Sequence, residues 1–343
     1  VSGGTFSSAI PYEYCAAGYI PEDKGDGKYG VKEGKYVAKV GSTKYETLAD
    51  AIRLAANGNT VTLLDNVTEN VTIGENKDLT LDLNGFTLTN AGEHTITNNG
   101  TLTIKGTGTV DNVTHAKAAI VNYGTMTLNG GTYTRSKECG KTPYDANGNS
   151  FYTILNDKGG SLTIEDGVTV TNVGHFSSMI RNGGEEKEST LIIEGGTFTG
   201  GINTVKNDAL GKLTIKGGTF SNTTQFVVMN WNVADIQGGT FELGTDVKSS
   251  LLFSASYGDG AIGQMTISDG VFHYTEDQGL IQTEYDEKHI GSLAVSGGIF
   301  DHAVDSTYCA DGFKPAKENG KYTVKPVFKV PINIFSDGGI IYI

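Results

Sequence analysis

No run of basic residues interrupts this chain, in which Asp and Glu outnumber Lys and Arg 39 to 26 for a net charge of −13. That balance argues against nucleic acid and anionic lipid as partners. No window approaches the roughly 18 apolar residues of a membrane span, so no membrane insertion is expected, and no signal peptide stands at the start. Three cysteines, Cys15, Cys139 and Cys309, are too few and too scattered for a metal knuckle or a disulfide framework. No metal and no cofactor are expected. Proline is scarce, at six residues, against 48 glycines, and Thr, Val, Ile and Asn fill much of the remainder. Such a composition suits many short strands joined by tight turns and leaves little for helices.

What the chain does have is repetition. The pattern of "LTIKGGTF" at Leu213–Phe220 returns as "LTIKGTGTV" from Leu102, "MTLNGGTYT" from Met126, "LIIEGGTF" from Leu191 and "LAVSGGIF" from Leu293. Marking the last apolar residue before each glycine turn gives Leu83, Ile104, Leu128, Ile164, Ile193, Ile215, Ile236, Ile267 and Val295. The core unit is about 21 residues with insertions of varying length, the signature of a solenoid whose units bury their apolar side chains only by stacking. Leucine-rich repeats share the period, but the alternation here is strand-like throughout.

A second short strand precedes each marker, as in "TITNNG", "AIVNYG" and "VVMNWN", and aligns Asn98, Asn122, Asn156, Asn182, Asn207 and Asn230 at one corner of consecutive coils. Asparagine tolerates a left-handed backbone, and stacked amides hydrogen-bond from coil to coil. The ladder is expected to end in Ser254 and Thr283. Tyr133, Phe198, Phe220, Phe241, Phe272 and Phe300, just past the glycine turns, are expected to form one internal aromatic stack.

These ladders and stacks resemble those of right-handed parallel β-helix proteins of the pectate-lyase-like superfamily. The resemblance is architectural and covers about Val61 to Phe300. It is nearest to glycine- and threonine-rich repeat modules on the surface of Gram-positive gut bacteria. It implies an all-β, single right-handed parallel β-helix of about nine coils, a rod of about 40 Å. The stretch "YETLADAIRLAANG" predicts a short amphipathic capping helix, with Thr47 as N-cap and Asn57-Gly58 as stop.

The two ends match each other. "VSGGTFSSAIPYEYCAAGYIPEDKGDGKYGVK" from Val1 aligns with "VSGGIFDHAVDSTYCADGFKPAKENGKYTVK" from Val295, placing Cys15 on Cys309, Tyr14 on Tyr308 and Tyr29 on Tyr322. Residues 1–34 thus read as the closing coil and tail of a preceding tandem module, and the chain as a slice of an array. Residues 35–60 form a linker strand and capping helix, 61–300 the β-helix and 301–326 a C-terminal tail or cap, with 327–343 unassigned.

Catalytic β-helices of the superfamily carry clustered carboxylates with a basic residue, or a glycine-histidine-glycine motif, and neither pattern occurs. Asp166 and Asp269 replace a turn glycine on coils about four apart, roughly 19 Å, and read as turn residues. His115 and His175 are equivalent residues two coils apart, about 10 Å, beyond the reach of one metal ion. No catalytic residue and no metal ligand is assigned.

Binding candidates are Tyr123 and Trp231, which follow ladder asparagines and should face outward as exposed platforms, and Cys139 and Tyr144 in the long insertion 134–150. The expected function is a non-enzymatic, extracellular stalk or adhesin-type unit, attached to a cell surface. Its expected partners are host glycans, mucin or immunoglobulin and adjacent modules of the same chain. The alternative is a carbohydrate-active enzyme of the same fold, a lyase or hydrolase. A trimeric phage or toxin helix would need an apolar outer stripe, where Thr, Lys, Glu and Asn are found instead.

Overall fold

A computed structural model describes residues 1–137, 151–172, 177–184, 186–257 and 262–327, and the backbone of an antiparallel pair, Phe335–Asp337 with Ile340–Tyr342. Each coil contributes three short strands, and each strand pairs in parallel with its equivalent one coil on. Ile96–Asn98 pairs with Ile120–Asn122, Thr101–Lys105 with Thr125–Asn129, and Thr109–Asp111 with Thr132–Thr134. Three sheets of nine, twelve and twelve strands result, making the all-β parallel helix of about nine coils. Along Thr101–Lys105, Leu102 and Ile104 turn inward while Thr101, Thr103 and Lys105 face out, so the period-two pattern selects the core. A three-residue strand has no stability of its own; stacking supplies it.

Register corrects the first marker. Leu81, not Leu83, lies opposite Ile104, and Leu83 is buried in a turn beside Asn84, whose φ is +49°. The rule of the last apolar residue before the turn fails where the turn itself buries a leucine.

Glycine at the corners has a steric cause. A Cβ on Gly124 would lie 2.2 Å from the carbonyl oxygen of Gly100 one coil back, and Gly218 has φ +102°. Coils stacked this closely leave no room for a side chain there.

All six ladder asparagines are fully buried. Nδ2 of each donates to the next residue of the ladder: Asn98 to Asn122, Asn122 to Asn156 and Asn156 to Asn182 at 2.7 Å, Asn182 to Asn207 and Asn207 to Asn230 at 2.8 Å. Asn230 closes the series on Ser254 Oγ at 3.0 Å, which donates onward to Gly263 O. Thr283 falls past the final strand, Ile281–Gln282, so the ladder stops one rung earlier than expected. None of these asparagines has a positive φ. The residue is used for its amide, which satisfies buried backbone carbonyls as well as its neighbour, and not for a left-handed corner.

Phe198, Phe220, Phe241, Phe272 and Phe300 stack with centroids 4.6–5.0 Å apart and planes within 9°. Tyr133 is buried but separate, because Val170 occupies the rung between it and Phe198. A second set of buried asparagines, absent from the repeat analysis, pins another corner. Asn112 donates to the carbonyls of Glu93 and Ala118 and to Thr95 Oγ1, and Asn222 to those of Gly200 and Gly201 and to Thr204 Oγ1.

The N-terminal opening is covered by the helix Leu48–Leu54, which buries Leu48, Ala51 and Ile52. Thr47 Oγ1 accepts from Asp50 N, and the Glu69 carboxylate accepts from Leu48 N and Ala49 N. Lys77 Nζ meets the other end at the carbonyls of Arg53 and Ala55, so the helix stops at Leu54, before Asn57-Gly58. Antiparallel strands Ala38–Val40 and Thr43–Tyr45 finish one sheet edge, which would otherwise offer unpaired backbone. At the C-terminal end the hairpin Phe313–Glu318 with Lys321–Pro326 lies antiparallel on Ile299–Phe300.

The N-terminal segment repeats that ending. A 3-10 turn, Tyr12–Tyr14, precedes the hairpin Tyr19–Gly25 with Lys28–Glu33, as Ser306–Tyr308 precedes the C-terminal one. Phe6 bridges antiparallel to Tyr29, as Phe300 does to Tyr322. The segment docks on the body through Lys32–Glu46 at 2.7 Å and Lys44 Nζ 3.9 Å above the Tyr12 ring.

Candidate binding face

The three-residue strands of the asparagine sheet turn their first and last residues inward, so the middle residue faces out. Register aligns these as Thr97, Val121, Leu155, Arg181, Lys206, Met229 and Phe253. Two apolar clusters separate from the coil core sit on this face. One joins Ala118, Val121 and Leu155 with Tyr123, Phe151 and Tyr152. The other joins Phe226, Trp231, Phe253 and Ala255 with Met229.

Between them lies a polar patch. Arg181 Nε donates to Asp208 Oδ2 at 2.9 Å, Lys206 Nζ reaches the same oxygen at 2.8 Å, and Asp157 Oδ2 is 3.8 Å from Arg181. The guanidinium lies over the Tyr152 ring at 5.4 Å. Burial works against the charge of Arg181, but Tyr152, Asp208 and Asp157 outweigh it and hold its pKa above the ordinary value. An arginine kept charged in this way is no proton acceptor.

Trp231 does face outward, yet it is only 5% exposed, which corrects its expected role as an open platform. Its ring lies 4.7 Å from Phe253 and is flanked edge-on by Tyr257 at 5.2 Å and Tyr285 at 5.4 Å. The platforms are those two tyrosines, 58% and 64% exposed. Tyr285 comes from a small hairpin, Glu284–Asp286 with His289–Ile290, whose turn Asp286 closes by accepting from Lys288 N and His289 N. With Lys206, Met229 and His289 these rings line a cleft of about 430 Å³.

Tyr123, four ladder rungs from Trp231, is half-buried in the first cluster, so the structure does not bring the two together. Cys139, Tyr144 and His175 lie outside the described residues. His115 is exposed. Asp166 and Asp269 keep to turns, Asp269 Oδ1 accepting from Gly270 N, and their strands stand four rungs apart. Among the described residues no three His, Cys, Asp or Glu side chains converge as a metal site, and no helix is long and apolar enough to cross a membrane.

Sequence reasoning missed Tyr257, Tyr285 and His289, which lie in insertions outside the repeat; their aromatic density was the one available signal. No family model, no curated protein and no solved structure matches this chain.

Proposed function

We propose that this chain is one unit of a tandem β-helix stalk, a non-enzymatic module of an extracellular surface protein of a Gram-positive gut bacterium. The observation that carries the reading is the cap built twice from matching sequence: Phe6–Tyr29 at one end and Phe300–Tyr322 at the other. At the C-terminal end the cap closes a coil, with Ile299 and Phe300 paired to Val271 and Phe272. At the N-terminal end Phe6 is 38% exposed beside an open hollow of about 590 Å³. A preceding unit's last coil fits that place, and tandem copies extend reach and multiply weak binding. The superfamily assignment and a role in binding host glycans, mucin or immunoglobulin belong to the same proposal.

Placing residues 35–294 ahead of Val1 tests it. Amide exchange at Thr5 and Phe6 should then slow to the level of Ile299 and Phe300; unchanged exchange would overturn the tandem reading. The alternative, a carbohydrate-active enzyme, would draw on Arg181, Asp157 and Asp208, but these groups already neutralise one another. Incubation with pectin, mucin glycans and glycosaminoglycans should release no unsaturated or reducing products, and turnover would make the enzyme reading correct.

A further inference from the structure

The cleft around Trp231 has a chemistry of its own. Two exposed tyrosine rings stand edge-on to the indole, at interplanar angles of 82° and 71°, so the walls are aromatic and the floor is the buried tryptophan. The indole Nε1 has no hydrogen-bond partner among the described residues and is not sealed from solvent. A tryptophan this buried ordinarily has one. The hydroxyls of Tyr257 and Tyr285 are likewise without protein partners, and Lys206 Nζ is fixed at the rim by Asp208. In a chain of net charge −13, no carboxylate and no amide lines this cleft.

The lining thus offers hydrogen-bond donors and aromatic faces, and few acceptors beyond the phenolic oxygens. A saccharide carries as many donors as acceptors and would leave its own hydroxyl protons poorly matched here. A proline-rich strand has the complementary inventory: carbonyl acceptors, no N–H at proline, and flat apolar rings. Its polyproline II form is extended before it binds, so little ordering entropy is lost, and aromatic-lined grooves are the recurring way such segments are held. The tyrosines add little entropic cost, having two side-chain torsions each.

We propose that this cleft binds a proline-rich segment in the polyproline II conformation, about one three-residue turn long. The Trp231 Nε1 and a tyrosine hydroxyl donate to its carbonyls, and prolyl rings seat between Tyr257 and Tyr285. The proposal stands apart from the tandem reading, since an empty cleft would leave the ends of the chain as they are.

Trp231 is the only tryptophan, so its emission reports on the cleft directly. The full chain would be titrated with a proline-rich decapeptide, a glycine-serine decapeptide and cellohexaose. A saturable emission change with the proline-rich peptide alone is expected. Tyr285→Ala, at an exposed position that leaves the thermal midpoint in place, should weaken that binding at least about tenfold. Tyr14→Ala, equally exposed at the far end, should leave it unchanged. Trp231→Phe, followed by calorimetry, keeps an aromatic floor but removes the N–H and should also weaken binding. No response to the peptide, an equal response to glycine-serine, saturation by cellohexaose instead, or an unaffected Tyr285→Ala would each overturn the proposal.

Discussion

The segments Val1–Glu33 and Val295–Pro326 share a sequence pattern, a 3-10 turn, a hairpin and an aromatic bridge, yet they differ in what lies beneath them. Phe300 rests on Phe272 at 4.8 Å and is 2% exposed, whereas Phe6 is 38% exposed. Val295 is fully buried and Val1 is 42% exposed. The hairpin therefore forms from local pairing alone, while burial of its underside depends on a coil. The same residues are core at one end of the molecule and surface at the other, and only context distinguishes them.

Deleting each segment should break the symmetry most strongly. Removing residues 296–343 uncovers Phe272, Met265 and Ile267 and should unravel the last coils or drive aggregation, seen as loss of cooperative melting. Removing residues 1–33 leaves the helix Leu48–Leu54 over the N-terminal opening and should lower the thermal midpoint by only a few degrees, about 1 kcal/mol. Comparable damage from both deletions would mean that the N-terminal segment stabilises this β-helix itself.

A narrower version uses single side chains. Phe300→Ala should cost about 3 to 5 kcal/mol in denaturant unfolding, because a buried ring and its stacking partner are lost. Phe6→Ala should cost under about 1 kcal/mol, since its ring has little to pack against. Equal costs would show that Phe6 is covered in solution.

The smallest effect is in the thiols. Burial, and then Asp305, push the Cys309 thiol above its ordinary value of 9.0. With the other two cysteines replaced by serine in each case, Cys309 should alkylate several-fold more slowly than Cys15 at pH 8. The sign follows from the thiolate being the nucleophile: a raised pKa leaves less of it at a given pH, so the lag should shrink as the pH rises past 9. Equal rates at pH 8 would remove this distinction between the two caps.

Much of this architecture was legible in the residues because each coil repeats its constraint. Six asparagines in one frame have one economical use, and the structure gives them hydrogen bonds of 2.7–2.8 Å from coil to coil. Where one coil departs from its neighbours, the reading slipped. Leu83 took the place of Leu81, and Tyr133 joined a stack that Val170 interrupts. Asn112 and Asn222 stood out only as members of Asn-x-Thr triplets, though both are buried corner pins. The cleft was hardly legible at all. Trp231 was visible, but Tyr257 and Tyr285 reach it from two different insertions, and no periodicity speaks for an insertion.

By itself, then, the sequence determined the coil: which residues turn inward, where glycine is compulsory, and that both ends carry one cap. Those are short-range matters, set by strand alternation and by the steric limit between coils about 4.8 Å apart. Tertiary structure decided what the repeat does not encode. It determined that Phe6 is open and Phe300 closed, that Trp231 is a floor and not a platform, and that its walls are two exposed tyrosines. These depend on which coil or insertion arrives from far along the chain, and burial is a property of neighbours rather than of the residue.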